Sequence, residues 1–384
     1  KGSIYEHCIK AIEKFLVFGE NGLPKIGSGD WNDGFSNVGP KGKGESVWLG
    51  FFQYTVLDKF SKICEEVSEN IEEGDIALDK NHEATHKDIT AKTEKERAEK
   101  YRKIMEELRK HLNTNGWDGR WFKRAFMDDG NVLGSIQNEE CRIDSIAQSW
   151  ATISGAGDND KKYISLNSLE NHLVDKEAGI IKLLDPPFEK SKLEPGYIKA
   201  YIPGTRENGG QYTHGAIWAI IAEAILGFGD KAVEYFRMIN PIEHSRTKDE
   251  ANKYKVEPYV IAADIYGGSL AGRGGWTWYT GSSSWMYEAG IKYILGLNIE
   301  ENILRIEPHI PANWNSYKIK YKYGDSIYNI TVNNKILDNK EDIRIIINGK
   351  DMSKEENYVG NKKLQTNEIL LNKNGEIFTV EVEI

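Results

Sequence analysis

The chain has 384 residues, of which 39% are hydrophobic and 28% charged, and its net charge is −9. That length suits one large domain or two, and the composition is ordinary for a soluble globular protein. The acidic balance argues against nucleic acid and against an anionic membrane surface as partners, because both attract Lys and Arg, and no apolar run is long enough to span a membrane.

Apolar residues recur at helical spacing over the first three quarters of the chain. The pattern predicts helices over residues 4–16, 52–67, 101–112, 143–154, 159–174, 214–226, 229–239 and 282–294. Between them we expect a glycine-rich loop over residues 20–45, an exposed charged insertion over residues 68–95, and a short hairpin that turns at Asp129 and Gly130. Because the first helical pattern starts soon after Lys1, which is not Met, we expect the sequence to be part of a longer chain.

The pattern changes near residue 300 from a helical period to a strand period. Apolar and polar residues alternate over residues 317–323, 328–332, 343–347 and 378–384, and Asn-Gly pairs at 348 and 374 suit tight turns. The sequence therefore predicts a mainly α protein, with a helical domain over residues 1–298 and an antiparallel β-sandwich module over residues 299–384.

Two carboxylates bracket a tryptophan in the loop between the first two predicted helices. This first motif, residues 29–34, reads Gly-Asp-Trp-Asn-Asp-Gly, with Asp30 and Asp33 on either side of Trp31. A carboxylic acid that is held beside an aromatic face loses solvation, which raises its pKa and lets it donate a proton near neutral pH. The alternative is an Asx-rich turn in which Asp30 caps a helix.

A dense run of hydrogen-bonding side chains leads into a later predicted helix. This second motif contains Arg206, Glu207, Gln211, Tyr212 and His214 without apolar filler. Such groups suit the hydroxyls of a sugar, and the start of the helix that follows favours an anion. The alternative is a solvated surface loop. The Gly209-Gly210 pair and the apolar helix that follows disfavour this alternative.

A third motif, residues 272–284, runs into the last predicted helix. Thr280, Gly281 and Ser282 offer hydroxyls and backbone N–H groups at the helix start, which suits phosphate. The segment is not a P-loop, because no Gly-Lys-Ser/Thr follows. Helix capping by Thr280 or Ser282 is the alternative, and it is compatible with phosphate binding.

One apparent metal motif is rejected. Residues 82–86 read His-Glu-Ala-Thr-His, which matches a zinc-protease pattern, but that pattern needs a helix in a buried cleft. Here it lies in the most charged segment, so we expect a solvated surface and no metal. Cys8, Cys64 and Cys141 lie far apart without a Cys-x-x-Cys pair, which favours reduced thiols and a cytoplasmic location.

Together the three motifs resemble glycoside hydrolase family 94, the cellobiose, chitobiose, cellodextrin and β-1,2-oligoglucan phosphorylases. The similarity extends to residues 44–48, Gly-Glu-Ser-Val-Trp, and to residues 138–150, which begin Asn-Glu-Glu-Cys-Arg. Residues 23–27 and 211–214 look closest to β-1,2-oligoglucan phosphorylases and to the C-terminal phosphorylase-like region of cyclic β-1,2-glucan synthases.

This resemblance implies an (α/α)6 barrel, with its N-terminal helices missing from this sequence, followed by a C-terminal β-module. It implies that Asp33 is the general acid. The residues expected to bind sugar are Asp30, Trp31, Arg206, Glu207, Gln211 and Tyr212. The residues expected to bind phosphate are His214, Thr280, Gly281 and Ser282.

The expected reaction is inverting phosphorolysis of β-glucosides, with β-1,2-gluco-oligosaccharides as substrates and α-glucose 1-phosphate as product. Phosphate is already an anionic nucleophile, so one carboxylic acid suffices. No cofactor is expected, and inorganic phosphate is the co-substrate. The expected partners are a β-glucan oligosaccharide, phosphate and the remaining N-terminal part of the enzyme, with a homodimer as an option.

Two other functions stay open at this point. One is inverting hydrolysis, with Asp33 as the acid and Glu207 or Asp30 as the base. The other is a non-catalytic module that binds the glucan chain as part of a cyclic β-1,2-glucan synthase. Formation of glucose 1-phosphate from β-1,2-gluco-oligosaccharide and phosphate would separate these functions from phosphorolysis.

Overall fold

A computed structural model describes residues 2–73, 89–278, 280–335, 343–352, 358–359 and 362–384. Helices dominate the described chain up to residue 294, and longer strands occupy the described chain after residue 296. The prediction of a mainly helical chain with a C-terminal β-region is therefore confirmed. The rejected motif at residues 82–86 lies outside the described residues, as does part of the predicted insertion.

The helices follow the predicted order. They are α1 (Ile4–Phe15), α2 (Val47–Glu73), α3 (Ala91–Thr114), α4 (Ser145–Ile153), α5 (Asn159–Leu173), α6 (Thr213–Ile225), α7 (Gly229–Met238), α8 (Lys248–Tyr254) and α9 (Ser282–Glu288). A π-helical segment, residues 289–294, continues α9. The sequence pattern does not predict α8, because Tyr254 is the only buried residue of that short helix and no apolar stripe marks it.

The first three helices pack through one apolar cluster. Its buried members include Leu57 and Phe60 of α2 and Tyr101 and Met105 of α3, and α1 covers it with partly buried residues such as Ile9. The loop between α1 and α2, which carries the first motif, therefore starts and ends on helices that are packed together.

The largest apolar cluster lies among α2, α4, α5, α6 and α7. Nearly every residue of α6 is buried, as expected of a helix that is apolar on all sides. Trp48, Trp150 and Trp218 meet in this cluster, with ring centroids between 5.3 and 6.3 Å apart. The aromatic residues thus support the start of α6, where the second motif ends.

Two-residue strands join the loops around this core. They are β1 (Glu45–Ser46), β2 (Ala125–Phe126), β3 (Val132–Leu133), β4 (Ile143–Asp144), β5 (Val174–Asp175), β6 (Ile180–Ile181), β7 (Leu184–Asp185), β8 (Gln211–Tyr212) and β9 (Asp264–Ile265). β2 and β3 form the predicted hairpin, with Asp129 and Gly130 in its turn, and β1 pairs with β2. β4 pairs with β7, β5 with β6, and β8 with β9, so loops from distant parts of the chain are tied together.

The C-terminal region contains two sheets that share one apolar cluster. The strands are β10 (Leu297–Glu300), β11 (Ile303–Ile306), β12 (Ser316–Tyr323), β13 (Ser326–Asn333), β14 (Arg344–Ile347), β15 (Lys350–Asp351), β16 (Tyr358–Val359), β17 (Lys362–Lys363), β18 (Glu368–Leu370) and β19 (Ile377–Glu383). One sheet has the order β10-β11-β18, the other has the order β12-β13-β19-β14-β15, and β16 pairs with β17. Leu304 and Ile369 of the first sheet and Val332 and Val380 of the second all belong to the shared cluster.

The expectation of a purely antiparallel module is wrong for one pair of strands. β13 and β19 run parallel, with Ile330 opposite Val380, whereas the other pairs in this sheet are antiparallel. Apolar and polar residues alternate with the same period in both types of sheet, so the pattern does not reveal strand direction. Parallel pairing is possible here because a long crossover that includes β14, and not a tight hairpin turn, connects β13 to β19.

Closure of the helices into an (α/α)6 barrel, the β-sandwich arrangement and the domain boundary after residue 298 stay predictions. The apolar clusters do change near that boundary, since Ile294 is the last buried member of the helical cluster and Leu297 the first of the C-terminal one. None of the helices in the described ranges is both long and apolar enough to cross a membrane.

Candidate active site

A buried ion pair holds the loop of the first motif. Arg124, next to β2, donates to both oxygens of Asp30, with 2.7 Å from Nη1 to Oδ2 and 2.7 Å from Nη2 to Oδ1, and neither side chain is exposed. Asp30 also accepts from the Ser46 hydroxyl at 2.7 Å and from the Asn32 N–H at 2.9 Å. These internal bonds fix the loop, and the predicted sugar contact of Asp30 stays a prediction that they do not favour.

A second carboxylate completes this buried network. Asp144 is the N-cap of α4, where it accepts from the Ile146 N–H at 2.9 Å, and its Oδ2 lies 3.3 Å from Arg124 Nε. Burial raises the pKa of Asp144, although the attraction to Arg124 opposes that rise. The guanidinium also lies 4.9 Å from the ring centre of Phe35. One arginine thus joins β2, α4 and the loop of the first motif.

The same loop presents Asp33 to solvent. The buried Asn32 side chain accepts from the Gly34 N–H at 3.1 Å, and a short 3-10 turn starts at the exposed Asp33. The Tyr197 hydroxyl hydrogen-bonds to Asp33, and partial burial together with this bond raises the pKa of Tyr197. The residue that was predicted as the acid therefore sits on a fixed turn with a phenol beside it.

Trp31 connects the first motif to the second. Its ring centroid lies 5.2 Å from that of Tyr212 and 5.9 Å from that of His214. It also lies 5.1 Å from the ring of Trp218 in α6. Because Trp31 and Asp33 belong to the same short loop, these contacts bring that loop to the start of α6.

The second motif is a largely buried loop, which disfavours the alternative of a solvated surface segment. Asn208 is fully buried, and its side chain accepts from the Phe188 N–H at 2.7 Å and donates to the carbonyls of Phe188 and Tyr201, each at 2.9 Å. The backbone turns at Arg206, whose φ is 50°. The guanidinium of Arg206 lies 4.9 Å from the ring centre of Tyr201, so this half-exposed side chain is also positioned.

Glu207 is an acid that is only 6% exposed. Arg206 Nε lies 3.5 Å from its Oε2, and this oxygen accepts no hydrogen bond from the residues that the structure describes. Burial raises the pKa of Glu207, while its own backbone N–H and Arg206 oppose that rise. A buried carboxylate oxygen without a donor suits the hydroxyl of a ligand.

Gln211 and Tyr212 differ in what their side chains contact. Gln211 is fully buried, and its Oε1 accepts from the Ile181 N–H at 3.0 Å while its Nε2 lies 3.4 Å from the Thr213 hydroxyl. These bonds tie β8 to β6 and do not favour the predicted sugar contact of Gln211. Tyr212 is partly buried beside Trp31, as a residue at the site would be.

The third motif meets the second at the start of α6. A Cβ added to Gly281 would lie 3.3 Å from His214 Nε2, so the backbone at residue 281 comes close to the imidazole. The hydroxyls of Thr280 and Ser282 are 2.6 Å apart, and the Ser282 N–H donates to Thr280 Oγ1 at 3.1 Å. Thr280 therefore accepts from the first N–H of α9, although the N-cap position itself is Gly281 and has no side-chain capping bond.

His214 provides a donor at this meeting point. Burial lowers the pKa of His214, which favours the neutral imidazole at neutral pH, and a neutral imidazole carries one N–H donor. Its Nδ1 is buried without a hydrogen-bond partner in the described part of the chain. Within that same part, no group of three or more His, Cys, Asp or Glu residues could hold a metal ion.

The sequence reasoning misses four residues that shape the site, namely Arg124, Tyr197, Tyr201 and Asp264. Asp264 starts β9 directly opposite Tyr212 and is only 3% exposed. An acid inside the apolar run of residues 260–265 is the signal that could have identified it. No comparable signal marks Tyr197, because its contact with Asp33 joins distant parts of the sequence.

The three motifs together offer complementary chemistry. Asp33 can protonate a leaving group, Glu207 can accept hydrogen bonds from hydroxyls, and His214 with Thr280 and the neighbouring backbone can donate to an oxyanion. The geometry thus suits a carbohydrate ligand at a site built on the loops between helices.

The family comparison agrees with this chemistry. The model of the catalytic domain of the glycosyl hydrolase 94 superfamily matches residues 1–89 and 77–296. The chain belongs to this superfamily, and the resemblance indicated by the three motifs is confirmed.

Individual relatives include a glucan synthase and several phosphorylases. The chain is 43% identical over 333 residues to the cyclic beta-(1,2)-glucan synthase NdvB of Rhizobium meliloti (strain 1021), which covers 86% of this chain and 11% of that protein. It is 29% identical over 358 residues to the solabiose phosphorylase of Paenibacillus borealis, covering 92% of this chain and 42% of that protein. It is 26% identical over 352 residues to the N,N'-diacetylchitobiose phosphorylase of Vibrio furnissii, covering 90% and 40%. The chain therefore spans less than half the length of each of these relatives.

Proposed function

We propose that this chain serves the inverting phosphorolysis of β-glucosides, with β-1,2-gluco-oligosaccharides as substrates and α-glucose 1-phosphate as product. Asp33 donates a proton to the leaving oxygen while phosphate attacks the anomeric carbon from the opposite face. Because phosphate is already anionic, no second carboxylate has to activate it. The phosphorylases among the relatives support the reaction type, and the similarity to a β-(1,2)-glucan synthase supports the linkage.

One observation carries the proposal, namely the contact between Trp31 and His214. It brings the loop of Asp33 to the imidazole that adjoins Gly281. A proton donor and an oxyanion-binding surface can then act on one bound glucoside. Phosphate binds beside His214, Thr280, Gly281 and Ser282 in this proposal.

The sugar occupies the aromatic and acidic side of the same site. Trp31 and Tyr212 present aromatic rings to it, and Arg206 and Glu207 bond to its hydroxyls. Asp30 and Gln211 hold the loops through their buried bonds. Further contacts come from the remaining N-terminal part of the enzyme, which would also complete the (α/α)6 barrel.

The direct test measures glucose 1-phosphate formed from a β-1,2-gluco-oligosaccharide and inorganic phosphate. We expect turnover to require phosphate and Asp33→Asn to lower kcat by about 10²–10⁴-fold, because Asn keeps the shape of the side chain but cannot donate the proton. Asp160→Asn, at an exposed position in the first turn of α5, is the matched control and should retain the wild-type rate.

Each other outcome points to a different function. Glucose released without phosphate would support the inverting hydrolase. Sugar binding without either product would support a non-catalytic glucan-binding module, which the similarity to NdvB also allows. Full turnover by Asp33→Asn would show that the acid has been assigned to the wrong residue.

A further inference from the structure

We infer that Asp264 is a sugar-binding residue of this site, and that its Oδ2 accepts a hydrogen bond from a hydroxyl of the bound β-glucoside. The inference rests on the proposed function, because it requires a glucoside at the site. Asp264 lies outside all three sequence motifs, so it adds a contact that they do not contain.

Asp264 lies on the side of the site that we assign to sugar. It is the first residue of β9 and is paired with Tyr212 of β8. Directly opposed residues of an antiparallel pair project their side chains from the same face of the ribbon. Because the ring of Tyr212 lies 5.2 Å from that of Trp31, Asp264 neighbours the aromatic pair that would hold the glucoside.

The third motif fixes one oxygen of Asp264. Its Oδ1 accepts from the Trp276 N–H at 2.8 Å, and the Gly275 N–H donates to the Asp264 carbonyl at 2.9 Å. A Cβ at residue 275 would lie 2.4 Å from Oδ1, so this close approach requires glycine. The carboxylate is therefore oriented before a ligand arrives, which lowers the entropic cost of binding.

The other oxygen of Asp264 has no strong donor. Oδ2 is buried and accepts no hydrogen bond of normal geometry from any residue in the described ranges. Burial raises the pKa of Asp264, while the N–H of Trp276 and both the charge and the backbone N–H of Arg206 oppose that rise. A buried acceptor without a partner is costly, and the hydroxyl of a ligand would remove that cost.

The surrounding charges favour a neutral hydroxyl over phosphate or a metal ion. Glu207 and Asp264 interact electrostatically with each other and with Arg206. Two acids beside one arginine disfavour a phosphate anion at this position. A metal ion is disfavoured as well, because the described residues contain no group of three or more His, Cys, Asp or Glu that could hold one. Sugar hydroxyls are neutral donors, and neighbouring hydroxyls of one ring can reach two nearby carboxylates.

Titration calorimetry of the 384-residue chain with a β-1,2-gluco-oligosaccharide and its monodeoxy derivatives tests this inference. At least one derivative should bind wild type about ten-fold more weakly than the parent sugar, because it leaves Oδ2 without a donor. Asp264→Asn should weaken binding of the parent by about the same factor and should then no longer distinguish that derivative from the parent. Asp160→Asn should keep the wild-type pattern.

Gly275→Ala is a second variant that leaves Asp264 in the sequence. Its added Cβ would displace the carboxylate, so the same loss of discrimination is expected. Circular dichroism reports whether each variant is folded, and Gly275→Ala decides the question if Asp264→Asn does not fold.

The inference is wrong if wild type binds no oligosaccharide, or if the folded variants still discriminate among the deoxy sugars as wild type does. Failure of the proposed function is a separate result. Binding that depends on Asp264 without formation of glucose 1-phosphate would reject phosphorolysis and retain the sugar contact.

Discussion

Two pairs of buried acids near the proposed catalytic loop differ in the arginine that lies beside them. The anchor acids, Asp30 and Asp144, share the buried guanidinium of Arg124, and both oxygens of Asp30 accept hydrogen bonds. The site acids, Glu207 and Asp264, each keep one buried oxygen that accepts no hydrogen bond from the residues described. Asp144 Oδ2 likewise accepts no hydrogen bond in the described part of the chain, although it lies 3.3 Å from Arg124 Nε. Burial is therefore common to both pairs, and they differ in the cation beside them, which is the fully buried Arg124 for the anchor acids and the half-exposed Arg206 for the site acids.

This difference separates the groups that hold the loops from the groups that bind a ligand. A buried charge with its partners inside the protein favours one loop conformation, whereas a buried oxygen without a donor costs free energy until a ligand bonds to it. The free energy of unfolding tests this difference. Removal of the arginine that neutralises the anchor acids should lower it, whereas removal of the charge on an unbonded acid should not.

The largest effect is expected when the anchor acids lose their shared cation. In Arg124→Met, Asp30 and Asp144 keep their burial but lose the guanidinium, so the free energy of unfolding should fall by about 3–5 kcal/mol. Denaturant titration at pH 7, followed by tryptophan fluorescence, measures this change. Arg109→Met is the control, because its 3.6 Å pair with Asp158 lies at the surface and should matter little. Equal losses of unfolding free energy in both variants would show that the buried Arg124 stabilises the fold no more than a surface arginine does.

Glu223 is a fifth buried acid, which lies in the second half of α6, away from the three motifs. It has no exposed surface, Lys231 Nζ lies 3.8 Å from its Oε1, and neither carboxylate oxygen accepts a hydrogen bond within the described chain. Burial raises the pKa of Glu223 to about 7, although Lys231 opposes that rise. An unbonded acid without exposed surface should therefore affect stability through its protonation.

Wild-type stability should consequently depend on pH in a way that the stability of Glu223→Gln does not. An acid whose pKa is raised on folding contributes most below its unfolded pKa of 4.5, and the contribution is lost as the pH rises through about 7. Between pH 4.5 and pH 8 the free energy of unfolding of wild type should fall by about 3 kcal/mol relative to the variant, at about 1.4 kcal/mol per pKa unit. Denaturant titrations of both proteins over this range measure the change. A difference that does not vary with pH would mean that Glu223 titrates normally.

The smallest effect is expected when the site acids are replaced by their amides. Glu207→Gln and Asp264→Asn keep the side-chain shape and remove a charge whose burial raises the pKa of each acid. The free energy of unfolding at pH 7 should therefore stay within about 1 kcal/mol of wild type or increase. The same denaturant titration applies. A loss as large as that of Arg124→Met would place these acids with the anchor acids and remove the distinction.

Local sequence patterns locate most helices but not the direction of the strands. Regular apolar spacing identifies α2 and α3, because the apolar face that it creates is buried between these helices. The parallel pairing of β13 with β19 has no local signature, since alternation with period two is shared by both sheet types. The short helix α8 is missed for a similar reason, because it contributes little to any apolar face.

For the candidate site, the sequence likewise indicates which loops meet but not which hydrogen bonds their side chains make. The sequence brings together the right loops, since Trp31, Tyr212 and His214 do meet. It also assigns Asp30 and Gln211 to sugar, which stays a prediction that their hydrogen bonds inside the protein do not favour. The residue type of an acid does not reveal its partner, and the partner of Asp30 is 94 positions away in the chain.

The sequence alone predicted every α-helix of the described chain except α8, the alternating strand segments after residue 300 and the superfamily, because apolar periodicity and short loop motifs are local properties of a chain. Only the tertiary structure decided which acids are bonded within the protein and which keep an unbonded oxygen. The donors that distinguish Asp30 from Asp264 come from separate loops, and their distances follow from packing and not from spacing along the chain.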